Sequence, residues 1–378
     1  MTEEGRREEF FPACGEVSVD QSGGRVEVHG WAEDRVRLVS TPRGAPGQAR
    51  VVATHQGSRL RVTVERVNHR CWGPAGGRVD IELWVPRATR LDINSGSGEV
   101  TVEGIRGRVR VESGSGGIEA RKLAGSLALE AGSGSVRVED CEGGGQLNAG
   151  SGDVTVIRSS GTFELETGSG DITLSELTGN LRVETGSGDV QAHRLRGDLA
   201  LEGSQGDVVI RDLAAGRVMV DLASGDLKLE GYPLPGAHWN LETASGDVLL
   251  AIPEAAACAI DVRTSSGGID CRLPLEARET GPHSLKGVLN RGGGLIQVET
   301  ASGSVILGPL AGLWPVAEPD SEQDDASLSV LRMVEEGKIT PAEAEALLAA
   351  LSDAPSEAGD EGAPAEEEAT DKEEGGGV

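Results

Sequence analysis

The sequence predicts an all-β protein built as a single-stranded, β-helix-like solenoid, and three observations support this fold class. First, a six-letter turn such as SGSGEV or TGSGDI recurs at a step of 18 residues from Ser95 to Gly203. Second, each unit contains a half-repeat of nine residues in which apolar and polar positions alternate, as strands require. Third, the 378 residues include 56 glycines and only nine aromatic residues, which suits short strands joined by tight turns. Fixed self-similarity of this length is typical of a repeat array.

One unit, residues 168–185, shows how the pattern predicts two strands. Gly168–Glu176 and Leu177–Thr185 each begin with a turn and continue with alternating residues, so that Ile172 and Leu174 share one face and Thr173 lies on the other. Such units can stack as parallel coils of a solenoid or pair as antiparallel hairpins. Hairpins favour Asn-Gly or Asp-Gly turns, whereas the order here is Gly-Asp, which favours the solenoid.

The rest of the chain is divided by composition. We expect a disordered N-terminus at 1–9, a β-rich N-terminal cap at 10–94, the solenoid of 18-residue coils at 95–310, an acidic linker at 311–326, a small α-helical hairpin at 327–351 and a disordered acidic tail at 352–378. The cap contains alternating stretches at 25–29, 36–39, 50–53, 60–64 and 79–85. The segments YPLPGAHWN after Gly231 and 275–294 disturb the rhythm, and we expect loops available for specific contact there.

The hairpin is predicted from residues 327–351, SLSVLRMVEEGKITPAEAEALLAAL. Gly337 ends the first helix, and Thr340, Pro341 and Glu343 supply the cap, first-turn proline and capping-box glutamate of the second. Two helices of this length bury little core alone, so we expect their apolar side to bind a protein partner or a second copy. The residues on that side are Leu328, Leu331, Val334, Leu347, Leu348 and Leu351.

Charge and cysteine content limit the classes of partner. The net charge is -27, of which -16 comes from the 19 acidic and 3 basic residues after Ala317. We therefore expect no nucleic acid and no anionic membrane as partner.

Five cysteines without paired spacing favour a reducing compartment. No segment has the composition of a signal peptide or reaches the roughly 20 apolar residues of a membrane helix, so we expect a cytoplasmic protein without direct membrane insertion, which can still reach a membrane or surface through a partner.

The acidic residue that follows glycine in each turn would form a column along one edge of a solenoid. The members are Glu99, Asp153, Asp171, Asp189, Asp207, Asp226 and Asp247. Calcium could relieve the repulsion of such a column, with Asp153, Asp171, Asp189 and Asp207 as ligands. The alternative is that each aspartate closes its turn by bonding to its own backbone, and the spacing differs from that of calcium-binding GGxGxDxUx repeats.

Two further sets of residues are candidates, one for a partner-binding surface and one for a zinc site. A second column, Glu112, Glu130, Glu166, Glu184 and Glu202, is either ordinary solvated surface or an acidic stripe for a basic partner such as a cationic peptide. His69 and Cys71, with His55, offer too few ligands for a structural zinc site, which requires four. The sequence contains no motif for catalysis or for binding a cofactor.

The repeated words GSGDV and GxLxVET, preceded by VDIELWVPRATRLDINSGSG at 79–98, resemble the bacterial putative-adhesin family of domains of unknown function. The same β-repeats occur in LiaX/YvlB-type envelope-stress proteins. The segment LRMVEEGKITPAEAEALLAAL resembles a SHOCT-like helical hairpin, which in that arrangement is N-terminal and here is C-terminal. The resemblance implies a non-enzymatic scaffold with a surface or stress-response role and a hairpin for oligomerisation or partner docking. It transfers no catalytic residues.

We therefore expect an adhesin-like scaffold or binding protein. Two alternatives remain at this point, which are a calcium-ordered surface adhesin and a carbohydrate-active β-helix enzyme. The enzyme would need aromatic and basic residues in a cleft, and residues 231–294 are where such a cleft would lie.

Overall fold

A computed structural model describes residues 6–43, 49–66 and 78–310 of the chain. Every regular element in those ranges is a β-strand, which confirms the all-β prediction. The first strand begins at Arg7, inside the segment expected to be disordered. The predicted linker, helical hairpin and acidic tail lie outside the described residues.

The N-terminal third contains eleven strands, which overlap all five stretches predicted for the cap and contain four of them completely, since β3 begins one residue after Arg25. They are β1 Arg7–Pro12, β2 Glu16–Gln21, β3 Val26–Trp31, β4 Arg35–Arg43, β5 Ala49–Gln56, β6 Arg59–Arg66, β7 Arg78–Pro86, β8 Arg90–Ser95, β9 Val100–Glu103, β10 Val109–Ser113 and β11 Ile118–Arg121. From β8 onward, two short strands follow each other in every 18 residues, as the half-repeat predicts.

The remaining strands continue this rhythm and lengthen where the sequence period loosens. They are β12 Leu127–Ala131, β13 Val136–Glu139, β14 Glu142–Ala149, β15 Val154–Ile157, β16 Ser160–Thr167, β17 Ile172–Thr178, β18 Leu181–Ser187, β19 Val190–Arg196, β20 Leu199–Gln205, β21 Val208–Leu222, β22 Leu227–Ser245, β23 Val248–Ile252, β24 Cys258–Ser266, β25 Ile269–Cys271, β26 Glu276–Thr280, β27 Ser284–Leu289, β28 Leu295–Ser302 and β29 Val305–Pro309.

The strands form two ladders of parallel pairs. In the regular part each strand pairs with the strand one unit later, so that Leu165 lies opposite Val183 and Leu174 opposite Ala192. The first ladder runs β6, β2, β8, β10, β12, β14, β16, β18, β20, β21, β22, β28, β24. The second ladder runs β7, β3, β9, β11, β13, β15, β17, β19, β21, β22, β23, β29, β25. Parallel pairing at this offset is what stacked coils require and what hairpins do not give.

Both ends of the stack are out of chain order. At the N-terminal end, β2 lies between β6 and β8. At the C-terminal end, β28 lies between β22 and β24. Antiparallel strands then extend the stack: β5 pairs with β6, β4 with β7, and β27 with β24. The predicted cap therefore contributes coils to the same stack, and the insertion at 275–294 forms a β-hairpin, β26–β27, at its other end.

The core is the space between the two ladders. Strand alternation turns one apolar residue after another inward, and these residues stack in columns such as Val111, Leu129, Leu147, Leu165, Val183, Leu201, Val220 and Leu241, all buried. Two large side chains fill irregular positions: Phe163 is 1% exposed and Trp239 is 0% exposed. Trp239 donates its indole N–H to the carbonyl oxygen of Ala215 at 3.3 Å, which satisfies its polar atom inside the core.

Glycine is required where the backbones of adjacent coils approach most closely. A methyl group added at Gly170 would lie 2.1 Å from the carbonyl oxygen of Gly152, one coil earlier, and one added at Gly188 would lie 2.2 Å from that of Gly170. Both distances are far inside van der Waals contact. The repeated glycine therefore exists because the turns stack directly on one another, and a ligand is not needed to explain it.

This close approach gives the first prediction. Gly170→Ala should lower the free energy of unfolding by about 3 kcal/mol, the upper range for overpacking, because the obstacle is backbone that cannot move aside. Gly268→Ala is the matched control, since no atom lies within 4 Å of the added methyl group. Urea unfolding followed by circular dichroism measures both, and equal midpoints for the two variants would contradict the packing argument.

Candidate functional site

The aspartates that follow glycine form a continuous hydrogen-bonded ladder. They lie at the corner where the first ladder passes into the second, which we call the Gly-Asp corner (186–189 in one coil). The backbone N–H of Asp189 donates to Oδ1 of Asp171 at 2.9 Å, and the N–H of Asp207 donates to Oδ1 of Asp189 at the same distance. The pattern extends from Asp153 through Asp226 and Asp247 to the N–H of Ser304.

This geometry corrects the expectation that each aspartate bonds to its own turn. The carboxylate instead accepts from the turn of the next coil, so it satisfies an amide that neither ladder reaches. One oxygen of each proposed calcium ligand, Asp153, Asp171, Asp189 and Asp207, is already engaged in this way. Within the described ranges, no group of three or more His, Cys, Asp or Glu residues is placed to hold a metal ion. The arrangement explains the column by backbone satisfaction.

The second acidic column is longer than the sequence period suggested. Register in the first ladder places its members opposite one another across successive strands, on the outer face beside the Gly-Asp corner. The acidic column, as we use the name, consists of Asp20, Glu112, Glu130, Glu166, Glu184, Glu202, Asp221, Glu242 and Glu299. Asn94 and Asn148 interrupt it, and Arg263 ends it.

Four of these acids were missed by counting in steps of 18: Asp20 joins the column because β2 lies between β6 and β8, and three others lie in the C-terminal half. Asp221, Glu242 and Glu299 follow the lengthened units, and Glu299 joins the column only because β28 lies between β22 and β24. A local signal was available: the acid comes two residues before the turn in DLASG, at 221–225, and in ETASG, at 242–246 and 299–303. Six consecutive positions, from Glu166 to Glu299, are acidic.

Countercharge along this run is sparse. Arg182 bonds to Glu184 at 2.8 Å and to Glu202 at 3.1 Å. The neighbouring outward positions are otherwise neutral or acidic, namely Gln146, Glu164, Ala200, Met219, Asn240 and Gln297. At these positions one arginine faces seven carboxylates, counting Glu164 with the six of the run, while Arg217 lies four residues before Asp221 on β21 and Arg263 lies opposite Glu299.

The column borders shallow hollows along the Gly-Asp corner. One hollow of about 430 Å³ is lined by Glu166, Glu184, Glu202 and Asp221 on one side and by Gly168, Gly186 and Ser204 of the turns on the other. A second, of about 650 Å³, lies beside Glu112 and Glu130 in the N-terminal coils. A third, of about 360 Å³, lies beside Glu299 and Arg263. Carboxylates therefore line the edge of an open surface that an elongated ligand can reach.

The opposite corner, where the second ladder returns to the first, manages charge differently. We call it the left-handed corner, because one residue per coil has a positive φ of 47–57°: Lys122, Asp140, Arg158, Glu176, Arg194 and Asp212. Their charges alternate in sign. Arg158 bonds to Asp140 at 2.8 Å, and Arg194 bonds to Glu176 at 2.7 Å. The hydrogen bond from Arg158 lowers the pKa of Asp140, and the one from Lys122 lowers the pKa of Glu103. The acidic column has no such alternation.

The other candidate residues are not brought together into a site. The ring of His55 lies near that of Phe11, tilted by 35° with ring centroids 6.3 Å apart, while His69 and Cys71 lie outside the described residues. Cys14, Cys141, Cys258 and Cys271 are free thiols, and burial raises the pKa of Cys258 to about 11.

The six apolar hairpin residues from Leu328 to Leu351 also lie outside the described part. No helix in that part is long and apolar enough to cross a membrane.

The segments expected to form contact loops lie mostly in β-strands. Residues 231–239 belong to β22, and Trp239 is buried in the core. Only Tyr232 and Leu234 of that segment remain prominently exposed among its large apolar residues. The hairpin β26–β27 extends the first ladder beyond β24. Of the two aromatic residues in this segment, Tyr232 is therefore exposed and Trp239 is not.

Comparison with known families now decides the classification. The sequence matches the Toastrack DUF4097 family over residues 14–196 and 146–307. The chain belongs to this family. A second match, to a SHOCT-like domain, covers residues 328–356. Both agree with the resemblances seen in the repeats and in the C-terminal segment. A search of curated proteins found no match.

Three solved structures found by comparison share little sequence with this Toastrack chain. A putative cell adhesion protein from Clostridium sporogenes is 8% identical, with 80% of this chain and 99% of that chain covered and a TM-score of 0.18. A putative lipid binding protein from Parabacteroides distasonis is 12% identical, with 80% and 95% covered and a TM-score of 0.35. A putative adhesin from Bacteroides fragilis is 8% identical, with 81% and 97% covered and a TM-score of 0.25.

The aspartate ladder predicts opposite effects for two substitutions at Asp189. Asp189→Ala removes the acceptor of the Asp207 N–H and should lower the free energy of unfolding by about 1 kcal/mol. Asp189→Asn keeps an acceptor oxygen and removes one like charge from the column, so it should be at least as stable as the parent. Thermal unfolding with and without calcium or chelator measures both. Equal destabilisation by the two variants, or a calcium-dependent melting temperature that Asp189→Asn abolishes, would favour a cation ladder instead.

Proposed function

We propose that this Toastrack chain is a non-enzymatic, adhesin-like binding scaffold whose acidic column takes a basic, extended partner such as a cationic peptide. The observation that carries the proposal is the run of six acidic positions from Glu166 to Glu299 in adjacent strands. At the left-handed corner, residues of successive coils also lie above one another, but there their charges alternate in sign.

The energetic reason is the spacing that the strands impose. Neighbouring parallel strands lie about 4.8 Å apart, and two exposed like charges at that distance repel by about 1 kcal/mol in water before salt screening. Each interior carboxylate of the run has two such neighbours. A cationic chain laid along the column relieves all of these repulsions together, so binding should strengthen with the number of cationic groups presented in a row.

The surroundings support an extended ligand with some apolar character. The hollow beside Glu166, Glu184 and Glu202 is open along its length and has a floor of small turn residues. Met219 lies on the same outer face as Asp221, two residues away, and is 47% exposed. A partner that carries both cationic and apolar side chains can contact the column and Met219 at once.

The binding prediction concerns three central acids. Glu166→Gln, Glu184→Gln and Glu202→Gln together should weaken binding of an oligolysine peptide about tenfold at low salt, because exposed pairs contribute about 0.2–1 kcal/mol each. Isothermal titration calorimetry on the full chain measures the affinity. Affinity should also fall as salt is raised.

A matched variant separates this site from general charge. Glu254→Gln, Glu276→Gln and Glu279→Gln remove the same charge from exposed positions outside the column, and they should leave binding nearly unchanged. Equal loss in both triple variants would show that the peptide responds only to net charge. No binding at low salt would reject the acidic column as a ligand site.

We also propose that the C-terminal segment couples the scaffold to itself or to a protein partner. The support is the amphipathic spacing of 327–351 and the SHOCT-like match at 328–356. A role in a bacterial envelope-stress response follows from the resemblance alone and belongs to the same proposal. The proposal also places the protein in the cytoplasm, or at a membrane or surface through its partner.

The coupling proposal makes its own prediction. Leu347→Asp with Leu348→Asp should lower the mass of the full chain in solution toward that of the monomer, because a charge on the apolar side of a helix opposes burial. Light scattering coupled to size-exclusion chromatography measures the mass, with Glu345→Asp as a control. A parent chain that is already monomeric, or an unchanged oligomer in the leucine variant, would contradict self-association through this segment.

A further inference from the structure

A group of arginines at the N-terminal end of the left-handed corner is not explained by the fold or by the proposed function. Arg87, Arg90, Arg106 and Arg108, the arginine quartet, are all exposed. None of the four forms an ion pair or a side-chain hydrogen bond with any residue in the described ranges. The remainder of the corner pairs its charges, so this group is an exception in a chain of net charge -27.

Backbone contacts fix the four residues in two adjacent coils. The N–H of Arg106 donates to the carbonyl oxygen of Arg87 at 2.6 Å, and the N–H of Leu91 donates to the carbonyl oxygen of Arg108 at 2.9 Å. Leu91 lies opposite Val109, so Arg90 and Arg108 immediately precede paired strand residues. With strands about 4.8 Å apart, the four exposed residues lie close together on the outside of two adjacent coils, and Glu16 lies opposite Arg90 on the neighbouring strand.

Neighbouring carboxylates do not neutralise the patch. Glu16 bonds to Arg59 at 3.0 Å, Glu112 bonds to Arg110 at 2.9 Å, and Glu103 bonds to Lys122 at 2.9 Å. Asp92 lies on the same face and also acts on Arg110. Glu16 and Glu103 thus each pair with another cation, and Glu112 and Asp92 share Arg110, so none of these acids pairs with the quartet.

The residue type and charge density indicate the ligand. All four residues are arginine, whose planar fork binds oxyanions through two hydrogen bonds, while lysine acts as a point charge. Four cations from two coils match an anion with two adjacent, multiply charged groups better than isolated carboxylates with one charge each. We infer that the arginine quartet binds a phosphate-bearing anion, with a soluble diphosphate group as the best fit.

Net charge favours a soluble ligand over a phosphate-covered surface. Salt limits electrostatic reach to about 8 Å at physiological ionic strength, so a small diphosphate at the quartet is little affected by distant acids. An anionic bilayer or a nucleic acid spans much more of the molecule and also meets its acidic surfaces. The shared chemistry is the phosphate group, and the two sources can be separated by experiment.

The test uses the full chain with inorganic pyrophosphate as the probe, measured by isothermal titration calorimetry. Arg90→Gln with Arg108→Gln should weaken binding at least tenfold. Arg90→Lys with Arg108→Lys should give a smaller loss, because charge remains while the fork is lost. Arg50→Gln with Arg278→Gln removes the same charge from exposed positions elsewhere and should leave binding unchanged. Urea midpoints of all variants confirm that the fold is retained.

Three results would overturn the inference. They are no pyrophosphate binding at low salt, equal affinity in the glutamine variant and the parent, and binding of a glutamate-rich peptide in place of pyrophosphate. A further arm uses phosphatidylcholine vesicles with and without phosphatidylglycerol. Failure to co-sediment supports a soluble ligand, whereas sedimentation that depends on the anionic lipid and on the quartet would replace it with a lipid headgroup.

Discussion

The structure depends on direct stacking of one coil's backbone on the next. At the Gly-Asp corner the coils approach so closely that a methyl group at Gly170 or Gly188 would collide with the preceding carbonyl. This contact keeps the turns in register, and the register fixes both ladders. Every position in the unit thereby becomes a column with the spacing of strands, about 4.8 Å. Apolar columns form the core without difficulty, but each charged column must contend with repulsion at that distance.

Three charged columns resolve this repulsion in different ways. The aspartates from Asp153 to Asp247 are held by backbone N–H groups, whose hydrogen bonds to a carboxylate are among the stronger ones in proteins. The left-handed corner alternates sign from Lys122 to Asp212. The acidic column has neither remedy over most of its length. Since the same fold supplies both remedies elsewhere, the unrelieved column is where an external cation has the most to contribute.

Sequence patterns could predict what repeats and not what breaks the repeat. The two strands per unit, the inward Ile172 and Leu174, and the fold class followed from periodicity. The backbone N–H that donates to each aspartate could not be predicted from periodicity. A carboxylate can reach an amide in its own turn or in the next coil, and the sequence is the same in both cases. The place of Glu299 beside Glu242 depended on β28 entering between β22 and β24, which chain order conceals. Trp239 looked like a loop aromatic because its unit is longer than 18 residues.

The geometry of columns also bears on the kind of function such a fold can carry. In stacked coils, like positions run parallel along the ladders, and the Gly-Asp and left-handed corners lie at opposite ends of the strands that join them. Each kind of charged group is therefore repeated along a line. A line of charges presents many groups at a fixed spacing, which suits the extended cationic partner proposed for the acidic column, whereas the arginine quartet departs from the repeat and suits the small anion inferred for it.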